Sequence, residues 1–492
     1  MSITINGVIR TFIFFEITKK ELMNMIKKNQ LNIILRLFIF LTGIFVTFKV
    51  INSLNELPNT YFLIPLIYSI LIVLFPSMTK YMFNYIGILA LNIGMAIRYL
   101  ISPLIISYSG IEMSRGIYPF VESYNIAINL MIYEMMAIFL IYQLLYKKFY
   151  NINYKRRKDL IGDNNVCGWL FIILCIGVII IFPEVMSRYS FVLTAEELKS
   201  KELQANIISF VPLLIQLGTL VLTMSFINVI YKYYSKNNKF IFVLISIGVV
   251  FIISSFIIGT SRFSVVLPLV TGLYMIYILF SKYKKVVTLI SSFVVLFIIL
   301  STTLLKTSTI YSEAVTLKDF FMQLNSNLQL YFSGVTNVAI AAQTSDIYNS
   351  FNLESILSDL FRSIVLLNSF FNGTSSALTD FNIVFYNGGL ARDQILPMIG
   401  QGYLYFGFLF APVFSIISLI LLMYFDSKII RIDSVIEKYI YAYVSLKFGL
   451  FMMANFTILL SFLTNYYLIL LVIFKINSKL FNKQREVKYE HW

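Results

Sequence analysis

Apolar runs about twenty residues long recur along this chain of 492 residues, and an α-helix of that length crosses the hydrocarbon core of a bilayer. Apolar residues make up 59% of the chain and charged residues only 13%, whereas soluble domains carry roughly 25% charged residues. A water-soluble core cannot hide that much apolar surface. The pattern therefore predicts an all-α integral membrane protein with about twelve transmembrane helices. The predicted spans are Leu31–Val50, Asn59–Pro76, Tyr81–Ser107, Tyr124–Tyr146, Val166–Phe182, Asn206–Tyr231, Phe240–Ile258, Phe263–Phe280, Val286–Leu305, Met398–Phe425, Lys438–Asn455 and Phe456–Ile476.

The distribution of lysine and arginine predicts the orientation of these spans. If the N-terminus is cytoplasmic, the inner segments hold 26 of the 39 basic residues and the outer segments hold 9. Cytoplasmic segments of membrane proteins carry this excess. We therefore expect a multi-pass protein with both termini in the cytoplasm.

One connection is much longer than the others, about ninety residues before the last three spans. It shows helical spacing of apolar residues in Thr316–Phe332 and again in Leu353–Phe371. Long ordered loops are usually functional, so we expect a mostly helical extracytoplasmic cap over the outer mouth. The predicted organisation is a cytoplasmic segment (1–30), nine spans (31–305), the cap loop (306–397), three more spans (398–476) and a cytoplasmic tail (477–492).

Several kinds of chemistry are disfavoured by composition. The net charge of +15 would suggest nucleic acid in a soluble protein, but here the orientation of the spans accounts for it, so no nucleic-acid partner is expected. The only histidine is His491, and Cys167 and Cys175 lie in one apolar run. A histidine-based triad, a zinc site or a haem site is therefore not expected, and neither is any other metal or cofactor.

Three ionisable residues lie inside predicted spans and away from their ends: Arg98, Glu134 and Lys447. Such residues are costly in a bilayer and are commonly functional. At 1.5 Å per residue, all three lie about 12–15 Å from the predicted outer surface. The shared depth predicts one polar cavity open to the outer face, which Pro103 would widen by disturbing its helix. The alternative is an internal ion pair that only orders the bundle.

Arg262 closes a tight turn of small residues, Gly259-Thr260-Ser261, between two predicted spans. A guanidinium suits bidentate phosphate binding, and the turn offers backbone N–H and hydroxyl donors. The alternative is a headgroup anchor at the membrane surface.

The end of the long loop contains glycines at 400, 402 and 407, which permit close helix packing or a broken helix. Gln401 and Tyr403 in the same stretch offer uncharged hydrogen-bonding groups at the predicted outer mouth.

These features together resemble the bacterial O-antigen and polysaccharide repeat-unit polymerase family. The resemblance covers most of the chain by architecture, and its motifs are short. It is carried by the stretch from Arg98 to Leu104, by Gly259-Thr260-Ser261-Arg262, by the large outer loop, and by Ile399-Gly400-Gln401-Gly402-Tyr403 with Phe406-Gly407. Members often have glutamate where this chain has Gln401, which weakens a catalytic role there. The related O-antigen ligases use a histidine in the outer loop, and this loop has none.

The resemblance implies a GT-C-like fold and a metal-independent glycosyl transfer on the outer face of the bacterial cytoplasmic membrane. A glycan on undecaprenyl pyrophosphate would be moved onto another lipid-linked repeat unit, extending a lipopolysaccharide or capsular polymer. A chain-length regulator protein is a further expected partner, besides membrane lipid. In this scheme Arg262 and Arg98 hold the pyrophosphate, and a carboxylate accepts the acceptor's proton. The candidate residues are Arg262, Arg98, Asp380 and Glu134 for catalysis, with Asp393 a further candidate base, and Arg362, Arg392, Gln401, Tyr403 and Lys447 for substrate binding.

Three alternatives belong to other classes. A lipid-linked oligosaccharide flippase would also be basic with about twelve spans, but it should show two related halves and would not normally need a large cap. A polyprenyl-phosphate-dependent glycosyltransferase would place paired acids in the first outer loop, where this chain has only Glu56. A scaffold protein would have no use for charges inside its spans.

Overall fold

The chain is described by a computed structural model. The described residues are 30–53, 58–111, 115–150, 162–191, 210–258, 263–294, 317–348, 353–365, 367–371, 376–389, 391 and 393–481. They are nearly all helical, and one pair of three-residue strands completes the regular structure of this part of the chain.

The helices from the N-terminus to the long loop are α1 (Gln30–Ile51), α2 (Leu63–Leu74), α3 (Ser77–Lys80), α4 (Ile86–Ala96), α5 (Ser102–Ser109), α6 (Val121–Tyr150), α7 (Val166–Ile181), α8 (Phe210–Asn237), α9 (Ile241–Ser254), α10 (Phe263–Leu279) and α11 (Ser281–Val294). Those that follow are α12 (Leu317–Phe332), α13 (Val335–Ile347), α14 (Leu353–Arg362), α15 (Ala377–Phe385), α16 (Met398–Phe410), α17 (Val413–Arg431), α18 (Val435–Gly449), α19 (Phe456–Phe462) and α20 (Leu468–Phe481). A π-helical segment joins α4 to α5 (Ile97–Ile101) and another joins α19 to α20 (Leu463–Tyr467). Strands β1 (Tyr189–Phe191) and β2 (Phe256–Ile258) pair antiparallel.

Six helical stretches among the described residues are long and apolar enough to cross a membrane, which confirms the membrane-protein class. They are Gln30–Ile51, Ile86–Ser109, Val121–Tyr150, Val211–Asn237, Val413–Arg431 and Phe456–Phe481. Helices α10 and α11 together are long and apolar enough to be a seventh span. The two helices are, however, bent by 100° relative to each other. The shorter apolar helices α2, α7 and α9 coincide with three further predicted spans. The number twelve, the orientation and the GT-C-like arrangement remain predictions.

One predicted span is broken. The stretch Met398–Phe425 forms two helices, because the backbone leaves the helical conformation at Gly407, where φ is +69°. Glycine adopts positive φ without a Cβ clash, and Pro412 then precedes the first residue of α17. A broken helix is one of the two structures that the glycine-rich pattern permits.

The long loop does not simply cover the bundle. Residues 335–344 of α13 are all buried, and this helix packs against α6, α15 and α16. Gly400 makes the contact with α16 close, since a Cβ at this position would lie 2.6 Å from the Cβ of Ala341. Part of the predicted cap is therefore built into the helical core.

A buried carboxylate organises the centre of the bundle. Asp426 of α17 is completely buried and accepts hydrogen bonds from the N–H groups of Gly87 (3.1 Å) and Ile88 (2.9 Å). No side chain of α4 itself caps this helix start, so Asp426 supplies the acceptor that the first turn lacks. The hydroxyls of Ser445 and Tyr150 donate to the same carboxylate. Four helices, α4, α6, α17 and α18, thus meet at one side chain.

We predict that Asp426→Asn destabilises the protein. The amide keeps one acceptor oxygen but turns an NH2 group toward buried donors, and each unsatisfied donor costs about 1–3 kcal/mol. The midpoint of thermal unfolding in detergent should fall by several degrees. Asp346→Asn is the matched control, because Asp346 is exposed on α13 and its replacement should leave the midpoint unchanged. Equal midpoints for both variants would show that this network does not stabilise the fold.

Candidate functional site

A polar cavity of about 420 Å³ lies among the ends of α8, α10, α18 and α19 that the lysine and arginine distribution predicts to face outwards. Its size suits a small-molecule site, since ligand pockets span roughly 300–1,000 Å³. Apolar atoms form most of the wall, including those of Leu267 and Phe462, and hydroxyl, amide and amine groups form the rest. The residues that line it are Tyr189, Gln216, Thr219, Leu220, Phe256, Leu267, Pro268, Ser363, Tyr443, Lys447, Thr457, Ile458, Ser461, Phe462 and Tyr466.

Lys447 is the one cationic residue among the described residues that line this cavity. It lies in the last turn of α18, and its Nζ is 5.8 Å from the centroid of the Phe462 ring of α19, which also lines the cavity. An ammonium group beside apolar walls exerts a stronger field than the same group in water. The cavity is therefore suited to a ligand that carries negative charge.

The wall next to Lys447 is held by side chains bonded across helices. Gln216 of α8 accepts a hydrogen bond from the hydroxyl of Tyr466. The hydroxyl of Tyr189 in β1 donates to the carbonyl of Pro212 (3.2 Å). These bonds fix strand β1 and the π-helical segment against α8, so the wall is formed without a bound ligand.

A segment of the long loop is fastened to the rim by Asn465. The Asn465 amide donates to the carbonyl of Ser363 (3.1 Å) and to Ser461 Oγ (3.0 Å), and its Oδ1 accepts from the N–H of Val365 (3.2 Å). Asn465 lies in a π-helical segment, a local widening that is often found at functional sites. Since Ser363 lines the cavity, these bonds hold the loop segment beside it.

Gln401 connects this cavity to a buried cluster in the loop. Its Nε2 donates to Thr457 Oγ1 (2.8 Å) and to the hydroxyl of Tyr405 (3.3 Å), and its Oε1 accepts from the N–H of Phe456 (2.7 Å). Gln401 is only 1% exposed. It therefore positions the start of α19, and its polar atoms are occupied by protein partners.

Two carboxylates, those of Asp359 and Asp380, belong to the buried cluster that Gln401 contacts through Tyr405, and neither lines the cavity. The Asp359 carboxylate accepts from the Tyr405 hydroxyl and from the N–H of Ala377 (3.2 Å) at the start of α15. Burial raises the pKa of the Asp380 carboxyl above its ordinary value, and the charge of Asp359 raises it further. A carboxylate with a raised pKa is a better proton acceptor. The positive charge of Arg362, which directly precedes Ser363 in the chain, acts on Tyr405 in the same cluster.

Arg98 and Glu134 form an ion pair away from this cavity. Arg98 Nη1 lies 2.8 Å from Glu134 Oε2, both side chains are at most 1% exposed, and Ser415 of α17 donates to the other carboxylate oxygen. Arg98 lies in the π-helical segment that immediately precedes Ser102 and Pro103. Among the described residues, the predicted common cavity is not seen: Arg98 and Glu134 are paired with each other, and of the three only Lys447 lines the cavity. Their arrangement corresponds to the alternative in which an internal pair orders the bundle.

The carboxylate of Asp393 also bonds to other side chains of the protein. The Arg115 guanidinium lies 2.9 Å from Asp393 Oδ2, and the Tyr386 hydroxyl donates to the same carboxylate. Partial burial opposes the charge on Asp393, but these hydrogen bonds outweigh it and lower its pKa below the ordinary value. A carboxylate held in its charged form by two donors is a weaker base than Asp380.

Of the other predicted residues, Tyr403 lies half-buried on α16 near the charge of Asp346 and does not line the cavity. Arg262 and Arg392 lie outside the described residues. Phe256, six residues before Arg262, and Leu267, five residues after it, both line the cavity.

Sequence reasoning missed the uncharged polar residues of this site, namely Gln216, Tyr443, Thr457, Asn465 and Tyr466. An amide inside an apolar run could have been noticed, because such side chains commonly bond across helices in membranes. Gln216 and Asn465 both carry that pattern.

Comparisons of the chain with protein-family models, with curated proteins and with solved structures found no match.

We predict that Asn465→Leu releases the loop segment at the rim without unfolding the bundle. The change removes the bonds to Ser363, Ser461 and Val365, so amide hydrogen exchange should rise at least tenfold in peptides covering 363–371. Asn92→Leu is the matched control, because Asn92 is a buried asparagine bonded to Met78 and Ile88 instead. Exchange near 363–371 should stay unchanged in that variant. Similar exchange in the Asn465 variant and the wild-type protein would mean that other contacts hold the segment.

Proposed function

We propose that the protein is a membrane glycosyltransferase that polymerises lipid-linked oligosaccharide repeat units, and that the cavity beside Lys447 receives the phosphate-bearing end of the donor. One observation carries the proposal. Among the described residues, Lys447 is the one cation that lines a cavity of about 420 Å³ at the predicted outward end of the bundle, next to a segment of the long loop. The resemblance of the chain to repeat-unit polymerases supports the same reaction.

The reaction would proceed by one displacement. The hydroxyl oxygen of the acceptor sugar attacks the anomeric carbon of the donor glycan, and the bond from that carbon to the phosphate oxygen breaks. Undecaprenyl pyrophosphate leaves with the bonding electrons, and the hydroxyl proton passes to a carboxylate. The protein's task is to stabilise charge on the leaving group and to accept this proton.

Lys447 is suited to the leaving group, because its ammonium borders the cavity and interacts most strongly with the charge that develops on the pyrophosphate. We propose that Arg262 assists it, since Phe256 and Leu267, six residues before and five residues after Arg262, line the cavity. Arg362 does not itself line the cavity, but it directly precedes Ser363, which does, and it is a further candidate donor from the loop. In this scheme Arg98 is a positioning residue, because its ion pair with Glu134 is buried outside the cavity.

Asp380 does not line the cavity, but by its charge environment it is the carboxylate best suited to accept the proton. Glu134 and Asp393 are both engaged by arginine, whereas the pKa of Asp380 is raised by burial and by Asp359. Gln401 connects the Asp359 cluster to Thr457 in the cavity wall through hydrogen bonds.

We predict that Lys447→Met abolishes polymerisation while the protein stays folded. Loss of one preorganised charge at a leaving group typically costs about 10²–10³-fold in rate. The measurement is the length ladder formed in proteoliposomes that contain the purified protein and lipid-linked repeat units extracted from a strain lacking it. Lys428→Met is the matched control, because the Lys428 ammonium also lies over an aromatic ring (Tyr424, 5.2 Å) but does not line the cavity.

The same proteoliposomes separate polymerase from flippase. A polymerase lengthens the glycan when donor and acceptor are exposed on one face only. A flippase leaves the length unchanged and moves single repeat units to the other leaflet, where an added glycosidase can reach them. Transfer without lengthening would overturn the proposal and favour the transporter.

We predict that Asp380 sets the acid limb of the pH–rate profile. A base works only when deprotonated, so the rate should rise with pH through its raised pKa. Asp359→Asn removes the neighbouring charge and should shift this limb to lower pH, whereas Asp380→Asn should lower the rate and remove the limb. Asp346→Asn is the control and should leave the profile unchanged. An unaltered acid limb in Asp380→Asn would exclude this residue as the base.

A further inference from the structure

A second cavity, of about 330 Å³, lies at the other end of the bundle, between α1, α3 and the last turns of α6. It contains two cationic side chains, Arg36 and Lys80. Neither forms an ion pair with another residue in the part of the chain that the structure describes. The one hydrogen bond that Arg36 makes there runs from its Nε to the carbonyl of Asn32 (3.3 Å), and Lys80 lies 5.3 Å from the centroid of the Tyr81 ring.

Two positive charges in one pocket repel each other, and the aromatic ring offsets only part of that repulsion. An anion bound between them would stabilise their joint placement. The pocket also has a neutral donor, the Nε2 group of Gln143, while the Oε1 of the same side chain accepts a hydrogen bond from the Ser77 hydroxyl. A phosphate group fits this set of donors.

The surroundings indicate a phosphate that belongs to a lipid. Helix α1 is peripheral, and its outer face exposes large apolar side chains along its length, including Ile34, Leu37, Phe38, Leu41, Phe45 and Phe48. Ile33 lines the cavity at the start of this face. A lipid bound with its headgroup in the cavity would lay its acyl chains along α1. Basic pockets between membrane helices on the cytoplasmic side hold anionic headgroups in this way, and this end of the bundle is the one predicted to be cytoplasmic.

The side chain of Asn32 indicates which chemical group the headgroup of the bound lipid should carry. Its Oδ1 is buried in the cavity wall and accepts no hydrogen bond within the described residues, and the residue is 6% exposed. A buried acceptor without a donor is costly, so a ligand with a hydroxyl group would satisfy it. A phosphate diester whose headgroup carries hydroxyls provides both features.

We propose that this cavity is a specific site for an anionic phospholipid with a hydroxylated headgroup, with phosphatidylglycerol as the representative chemistry. Arg36 and Lys80 bind the phosphate, and Asn32 accepts a hydrogen bond from the headgroup. The site is independent of the polar cavity beside Lys447 and does not rest on the proposed reaction.

The test is native mass spectrometry of the full chain in neutral detergent, titrated with phosphatidylglycerol. The wild-type protein should bind one lipid at low concentration, and Arg36→Gln combined with Lys80→Gln should weaken this binding at least tenfold. Arg431→Gln combined with Lys282→Gln is the matched control, because these cations lie at the same predicted end and Lys282 also lies over a tyrosine ring (5.6 Å). Arg36→Lys combined with Lys80→Arg keeps both charges and should restore binding, which separates loss of charge from misfolding.

Two further titrations identify the ligand. Phosphatidylethanol has the same charged phosphate diester but no headgroup hydroxyl, so it should bind more weakly than phosphatidylglycerol to the wild-type protein. This difference should vanish in Asn32→Leu. Inorganic phosphate should not displace the lipid at equal concentration. Unchanged lipid binding in the double glutamine variant, or full displacement by inorganic phosphate, would overturn the proposal.

Discussion

The bundle depends on satisfying polar groups inside a protein whose surroundings offer no water. Asp426 receives donors from three other helices and caps α4 in place of a local side chain. Further along the same helical stack, Arg98 pairs with Glu134 of α6, and Ser415 of α17 completes the pair. The stack from α4 to α5 is therefore bonded to α6 and α17 at two separate levels, so these helices cannot slide past one another without exposing a charge.

Helix α18 completes this arrangement, because its backbone is in close contact with that of α4. A Cβ at Gly449 would lie 2.4 Å from the carbonyl oxygen of Gly87, and one at Gly87 would lie 2.3 Å from Ser445 Oγ. Small residues allow such close approach of helices in membranes. The contact fixes the rotation of α18, and that rotation turns Lys447 toward the cavity.

The sequence predicted the helical segments well, because the length and composition of an apolar run are local properties. It could not predict how the helices are arranged around the bundle axis. The predicted depths of Arg98, Glu134 and Lys447 are similar, yet the first two meet and the third lines a separate cavity. Depth follows from counting residues along one helix, whereas neighbours depend on packing between helices distant in sequence. The break at Gly407 illustrates the same limit, since the glycine pattern was equally compatible with close packing.

The roles of uncharged polar residues were even harder to predict from the sequence, because the same residue type can stabilise a helix in one place and form part of a site in another. Asn92 and Asn465 are both buried asparagines in apolar helices, and both donate to backbone carbonyls. Only the position of Asn465 beside the loop segment gives it a place at the cavity rim. A single sequence contains nothing that separates the two cases.

The cavity lies where regular helices stop, and this placement has a physical reason. A continuous helix satisfies its own backbone, so its wall in a bundle is apolar, whereas a helix end leaves donors and acceptors that need partners. Around the cavity, α18 ends at Gly449, α19 is capped by Asn455, and Gln401 accepts the Phe456 N–H. Irregular backbone at membrane depth is tolerated only where protein or a polar cavity satisfies it. The side chains that meet this demand also make the wall polar, so a hydrophilic ligand can be bound there within an otherwise apolar bundle.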